Sequence, residues 1–196
     1  MRKSIVAIGI VCLASCAHAP VTEPLPNSSH IVQEEPVRIH LGAMAIEYRR
    51  AILAAIGYWN CVVGKQVFIV SSDGIYERLN ELLVTESWEL SQANWQAAKT
   101  GGVIRLAVHR RLSKRIELSD RLLTKDREEI ETVMRHELGH ALRVRHSGDI
   151  NDLMHPYPLL WRPGKTHPLD ASNALIASLR SRFRSTPAIR TVGRCK

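Results

Sequence analysis

The chain has 196 residues, of which 45% are hydrophobic and 23% charged. That length and apolar share suit one core-forming domain with an appendage and exclude a wholly disordered chain. The formal charge of +8 favours anionic partners but says nothing about fold or chemistry.

Residues 1–16 read MRKSIVAIGIVCLASC, with Arg2 and Lys3 as a basic start and an uncharged apolar run from Ile5 to Leu13. This is the layout of a secretory signal, and the run is too short for a transmembrane helix. No later stretch of the sequence is long and apolar enough either. Leu13-Ala14-Ser15-Cys16 resembles the lipobox of bacterial lipoproteins. The resemblance implies cleavage before Cys16, lipidation of Cys16, and residence on the periplasmic or outer face of the cell envelope. An ordinary signal peptide cut near Ala17-His18-Ala19 is the alternative. Residues 16–36, with Pro20, Pro24, Pro26 and Pro36, read as a tether. Residues 37–196 hold 25 basic and 16 acidic side chains, a charge of +9, so the basic character belongs to the expected domain. Cys12 falls in the signal and Cys16 at the lipidation position. Cys61 and Cys195 remain, to pair as a disulfide or to stay two unrelated thiols.

Val37 to Leu41 predicts a short strand. From Ala43 to Trp59, Ala45, Tyr48, Ile52, Ala55 and Trp59 recur at helical steps with charges between them. Val67 to Val70 predicts a second strand, closed by Ser71-Ser72-Asp73-Gly74. Residues 75–100 suit one or two short helices, with Trp88 and Trp95 as packing residues. Gly101-Gly102 introduces a strand from Val103 to Val108. A helix follows near Thr124 or Asp126, where Asp126 and Glu129 have capping-box spacing. Its apolar stripe is Ile130, Val133, Met134, Leu138, Ala141 and Leu142. A last helix is expected over Asp170 to Phe183.

His136-Glu137-Leu138-Gly139-His140 is an HExxH sequence on that helix. Two His at i and i+4 share one face and can reach one Zn²⁺, while Glu137 can serve a bound water as general base. Their shared direction opposes the apolar stripe, so the pattern predicts one sealed face and one open face. A third His, His146, stands six positions after His140, and Met154 lies eight beyond it within Asp152-Leu153-Met154-His155-Pro156.

Here the chain resembles the metzincin clan of zinc endopeptidases, most closely its matrixin-like branch. The match is specific over residues 132–157 and looser over 37–183, where Trp59-Asn60, Phe68 and the strand Gly102 to Leu106 take part. The resemblance implies an α+β domain: a twisted sheet whose edge strand lies over the active-site helix, and a small C-terminal subdomain with a helix. It implies His136, His140 and His146 as ligands of a single Zn²⁺, Glu137 as catalytic base and Met154 as the Met-turn floor. It places His155, Tyr157 and Trp161 at the wall of a substrate pocket, where Tyr157 serves as wall or core or as a hydrogen-bond donor to the reacting group. An extended peptide would pair with the edge strand. One departure is Arg143, at a position where the family has Gly to admit a positive φ. A Cys-switch segment and the loop holding further metals are missing from the pattern.

These readings make the chain a monomeric, membrane-anchored zinc endopeptidase with peptide or protein substrates. A non-catalytic zinc-stabilised lipoprotein that binds an envelope partner is the first rival. A polyanion- or nucleic-acid-binding module, suggested by Arg110-Arg111, Lys114-Arg115 and Arg180 to Arg184, is the second. Those pairs lack aromatic interleaving, and no nucleic-acid partner is expected. His40, His109 and His167 have no ligand spacing and read as surface or capping residues.

Overall fold

The first strand, β1 (Val37–Leu41), buries Ile39 and His40 and leads into α1 (Ile46–Val63). The computed structural model describes residues 35–71, 81–100, 105–110, 114–157 and 170–189. The signal, Cys16 and the tether as far as residue 34 lie outside those residues, as do Gly102 to Ile104, Trp161, His167 and Cys195. Cys61, half-buried near the end of α1, is disulfide-bonded.

Gly64 ends α1 at φ 70°, its N–H donating to the carbonyls of Asn60 and Cys61. A left-handed residue there closes the last turn, and Gly takes it without a Cβ penalty. The Asn60 side chain completes the corner. Its Oδ1 accepts from the N–H groups of Val67 and Phe68 at 2.9 Å, and its Nδ2 donates to the Phe68 carbonyl. The corner starts β2 (Phe68–Val70), which pairs parallel with β1.

β3 (Glu81–Glu86), α2 (Trp88–Thr100), β4 (Ala107–Arg110) and β5 (Arg115–Leu118) follow. The sheet order is β2-β1-β3-β5-β4, parallel throughout except for β4, which runs antiparallel to β5 at the edge. A 3-10 turn, Asp120–Thr124, leads to α3 (Arg127–Ala141), and α4 (Asn173–Arg182) comes last. Among the described residues the protein is therefore mixed α+β, with five strands and four α-helices. Of the expected edge strand, Arg105 and Leu106 lie outside β4, whose pairing with β5 begins at Ala107.

Ile39, Leu82, Val84, Ile116 and Leu118 from the sheet share one core with Ile52 and Trp59 of α1 and Met134 and Leu138 of α3. Trp59 also donates from Nε1 to the Arg135 carbonyl at 2.9 Å, which fixes α1 against α3. Two expectations fail. Trp88 and Trp95 do not pack inward: they are 73% and 47% exposed, because α2 buries its opposite side through Leu90 and Asn94. His40 is not at the surface but buried beside Glu81, 3.5 Å away.

Two cations of the suspected polyanion patch serve helix ends. Arg180 donates to the carbonyls of Val62 and Val63, and Arg182 to that of Leu142. Cations suit helix C-termini, where carbonyls lack intrahelical partners. No helix among the described residues is long and apolar enough to cross a membrane.

Candidate metal centre

The capping box written in the sequence is formed. Asp126 accepts from the Glu129 N–H at 2.8 Å, while the Glu129 carboxylate accepts from the Asp126 N–H at 3.3 Å. From this start, α3 carries His136 and His140 one turn apart. The helix differs from the two-faced expectation, since it is buried nearly all round from Thr132 to Gly139. Glu137, on the side expected to open, is only 3% exposed. The edge strand β4 and the loop after α3 cover that side.

Arg143 ends the helix at φ 59°. Its N–H donates to the His140 carbonyl, and the Val144 N–H donates to the Gly139 carbonyl. These two bonds form a Schellman motif with Arg in the position that Gly usually takes. The strain of a non-Gly residue there, roughly 1 kcal/mol or more, is absorbed without losing the turn. The chain reverses, and His146 arrives beside the other two imidazoles.

His140 Nε2 lies 3.1 Å from His136 Nε2 and 3.1 Å from His146 Nε2. The three donor atoms lie within 4.8 Å of one another, close enough to hold one metal ion. Tetrahedral Zn–N bonds of about 2.05 Å separate neighbouring nitrogens by about 3.3 Å, so the spacing fits. The tautomers fit as well. His136 Nδ1 donates to the Leu153 carbonyl and His140 Nδ1 to the Val144 carbonyl, both at 2.9 Å. A carbonyl can only accept, so each Nδ1 carries the proton and each Nε2 presents a lone pair. Two lone pairs facing at 3.1 Å repel unless a cation lies between them. Burial also holds the His136 and His140 imidazoles below their ordinary pKa, and takes His146 down to about 4. The cluster is therefore neutral and ready to ligate near pH 7.

Glu137 stands next to the first ligand. Burial pushes its carboxyl up to about 8, against the pull of a hydrogen bond from the His109 backbone N–H. Its Oε2 is buried with no hydrogen-bond partner in the structure. An orphaned buried acceptor beside three convergent imidazoles is what a site for a cation and a polar reactant requires.

Met154 is fully buried, and a Cβ on Gly139 would collide with its Sδ. Gly139 thus lets the Met154 thioether approach the helix backbone directly. The Asp152 carboxylate accepts from the Met154 N–H at 2.8 Å, and the Ser147 N–H donates to the Met154 carbonyl. The Leu153 N–H donates to the Asp170 carbonyl, tying the turn to the segment before α4.

Arg135 braces this turn. Only 1% exposed, it donates to Glu131 at 2.6 Å and to the Asp170 carboxylate at 3.2 Å, with its guanidinium 3.9 Å above the Tyr58 ring. The Tyr58 hydroxyl accepts from the Ala171 N–H at 2.6 Å. One connected set of contacts therefore runs from Arg135 through residues 170–171 to Leu153 and the His136 ring.

His109, read from sequence as a surface or capping residue, belongs to the site. Its ring stacks on His140 with centroids 6.4 Å apart, and its backbone holds Glu137. The strand propensity of residues 103–108 was the one signal toward it. Nothing in its spacing linked it to α3. His155 and Tyr157 lie edge to face at 5.7 Å, with the Tyr157 N–H donating to His155 Nδ1. His155 is near enough to lower the pKa of His136 and His146, whereas Tyr157 is exposed. A cleft of about 340 Å³ between α2 and β4 includes none of the ligands and has no such constellation of donors.

No family model matches the chain, and no curated protein is significantly similar to it.

Proposed function

We propose that the chain is a zinc-dependent endopeptidase anchored at a bacterial cell envelope. The observation that carries the reading is the meeting of three imidazole nitrogens beside a buried, half-satisfied Glu137 carboxyl. Three ligands leave a fourth position for a reactant, as a catalytic rather than a closed structural zinc site does. His136, His140 and His146 hold the ion, which when bound supplies a Lewis acid to the scissile carbonyl and its attacking water.

The rest belongs to the protein. Glu137 takes the proton of the attacking water and returns it to the leaving amine. A neighbouring cation lowers a carboxyl pKa, so metal loading brings Glu137 from its high metal-free value toward the basic form. The His109 N–H keeps the carboxyl aimed while it cycles between the two forms. β4 ends the sheet and touches α3, so a peptide added along it as a further strand would run past Glu137. Buried Leu153 and Met154 exclude water on the side where the Leu153 carbonyl holds the His136 ring. The anchor rests on the signal-like residues 1–16 and on Cys16.

The test is zinc content together with proteome-wide cleavage profiling, comparing wild type with Glu137→Ala. One tightly bound zinc and cleavages lost in the variant are expected. Bound zinc with no cleavage of diverse peptides would sink the enzymatic reading in favour of a partner-binding lipoprotein.

A further inference from the structure

α2 carries an outer stripe that the proposed chemistry does not use. Trp88, Gln92, Trp95 and Lys99 fall within about 60° of one another at 100° per residue, opposite the buried Leu90 and Asn94. The two indoles are the most and second most exposed of the described aromatic rings, and Lys99 Nζ sits 3.2 Å over the Trp95 ring. The only acid of the helix, Glu89, lies off the stripe.

We infer that this face of α2 docks on an anionic lipid surface and seats the domain against the bilayer that carries it. The inference rests on the envelope reading above. Four observations select lipid over other occupants. The stripe is a convex helix face with indoles about 10 Å apart along its axis, and none of its side chains lines the cleft between α2 and β4. Two indoles bury at most about 400–500 Å², against about 800 Å² per partner in a stable protein interface. Indole with a neighbouring ammonium suits the headgroup layer, where the ring is buried and the N–H and charge stay hydrated. The charge of +9 over residues 37–196 complements anionic headgroups.

The anchor makes modest affinity sufficient. Eighteen residues lie between Cys16 and Glu35, where the described structure begins. Extended chain of that length reaches about 60 Å, too far to fix an orientation but close enough to keep α2 at high effective concentration near the membrane. Seating α2 would then hold one side of the domain toward the lipid.

The test uses the full chain reconstituted in vesicles of phosphatidylcholine with about 30% phosphatidylglycerol, part of the lipid being brominated near the headgroup. Indole quenching is read for wild type, Trp88→Ala/Trp95→Ala, Lys99→Glu and Cys16→Ser. Expected is wild-type quenching at least twofold above the double variant, reduced severalfold by Lys99→Glu or by pure phosphatidylcholine. Trp59 and Trp161 are common to all these proteins and set the baseline, and an unchanged far-ultraviolet circular dichroism spectrum verifies the fold. Equal quenching in wild type and double variant, with the protein still held through Cys16, overturns the docking face and leaves the anchor standing. Trp-dependent quenching that survives in a Cys16→Ser chain released more easily from vesicles supports the face. The same result with unchanged retention supports it too, and removes the anchor instead. Concentration-dependent dimers lost in the double variant, without lipid quenching, overturn it in favour of a second copy of the chain.

Discussion

Glu137 and Arg143 carry opposite kinds of cost, one electrostatic and one conformational. The Glu137 carboxyl has a folded pKa of about 8 against an ordinary 4.5. The folded protein therefore binds the extra proton between those values, and the associated stability is present below about pH 4.5 and lost as pH rises through 8. In the metal-free protein, Glu137→Gln should raise stability at pH 9 by roughly 3 kcal/mol or more and change little at pH 4. Thermal unfolding at the two pH values checks this, since titration of the ligand imidazoles is common to both proteins. With zinc bound, the same substitution should lower kcat/KM by about 10²–10⁴-fold at unchanged metal content. At Arg143, Gly would relieve the αL strain but loosen the unfolded chain, two effects of about 1 kcal/mol that oppose each other. Arg143→Gly should leave stability and zinc affinity close to wild type. Arg143→Val should cost roughly 1–2 kcal/mol more and weaken zinc binding, because a β-branched residue is poorly tolerated at positive φ. Denaturant unfolding and zinc competition separate the two. The grouping of His136, His140 and His146 beside Glu137 could be read from sequence because their spacing is local to one helix and its exit. His109 and Arg135 could not, since their roles depend on a strand and a loop that arrive from distant positions.

At the scale of elements, the contact between α3 and the Met154 turn is the tightest constraint described. A Cβ at Gly139 meets the Met154 thioether and lies 3.1 Å from Trp59 Cζ2, both residues being fully buried. Gly139→Ala should destabilise by about 1–2 kcal/mol, overpacking outweighing the gain in helix propensity. Gly57→Ala in α1 meets nothing within 4 Å and should stabilise by about 0.5–1 kcal/mol, which makes it the matched control in the same denaturation series. Arg135→Ala removes a guanidinium that joins α1, α3 and the segment before α4. A cost near 3 kcal/mol is expected, the low end for a buried pair because Asp170 is 79% exposed. A fall of about 10–100-fold in zinc affinity should accompany it, by loosening the carbonyl that orients His136. The helices were legible because α1 and α3 bear long periodic stripes and α3 an explicit cap. β3 and β5 were not. Glu81–Glu86 begins and ends on acids inside a stretch that reads as helix, and Arg115–Leu118 has only Ile116 and Leu118 to mark it. Their strand state comes from pairing with neighbouring strands rather than from local preference.

For the whole molecule, the charge balance pointed to anionic partners, yet Arg180 and Arg182 are engaged with backbone carbonyls at helix ends. Sequence counts give the total charge; only packing separates cations that brace the fold from those left for a partner. Zinc should likewise act on the whole domain. At free metal a thousandfold above Kd, a native-only site adds about 4 kcal/mol, read as a drop in Tm on chelation. The sheet, however, has strands paired in parallel across long sequence separations, and such contacts form late because distant segments must first be closed into loops. The three imidazoles span only eleven consecutive positions, so a disordered chain can already wrap a metal with them. Two consequences follow for refolding. Metal captured by the unfolded chain shrinks the stabilisation below the native-only figure. Metal uptake should also precede recovery of hydrolysis, because the N–H that holds Glu137 comes with β4, and stopped-flow mixing with a zinc indicator and a quenched peptide should resolve the lag.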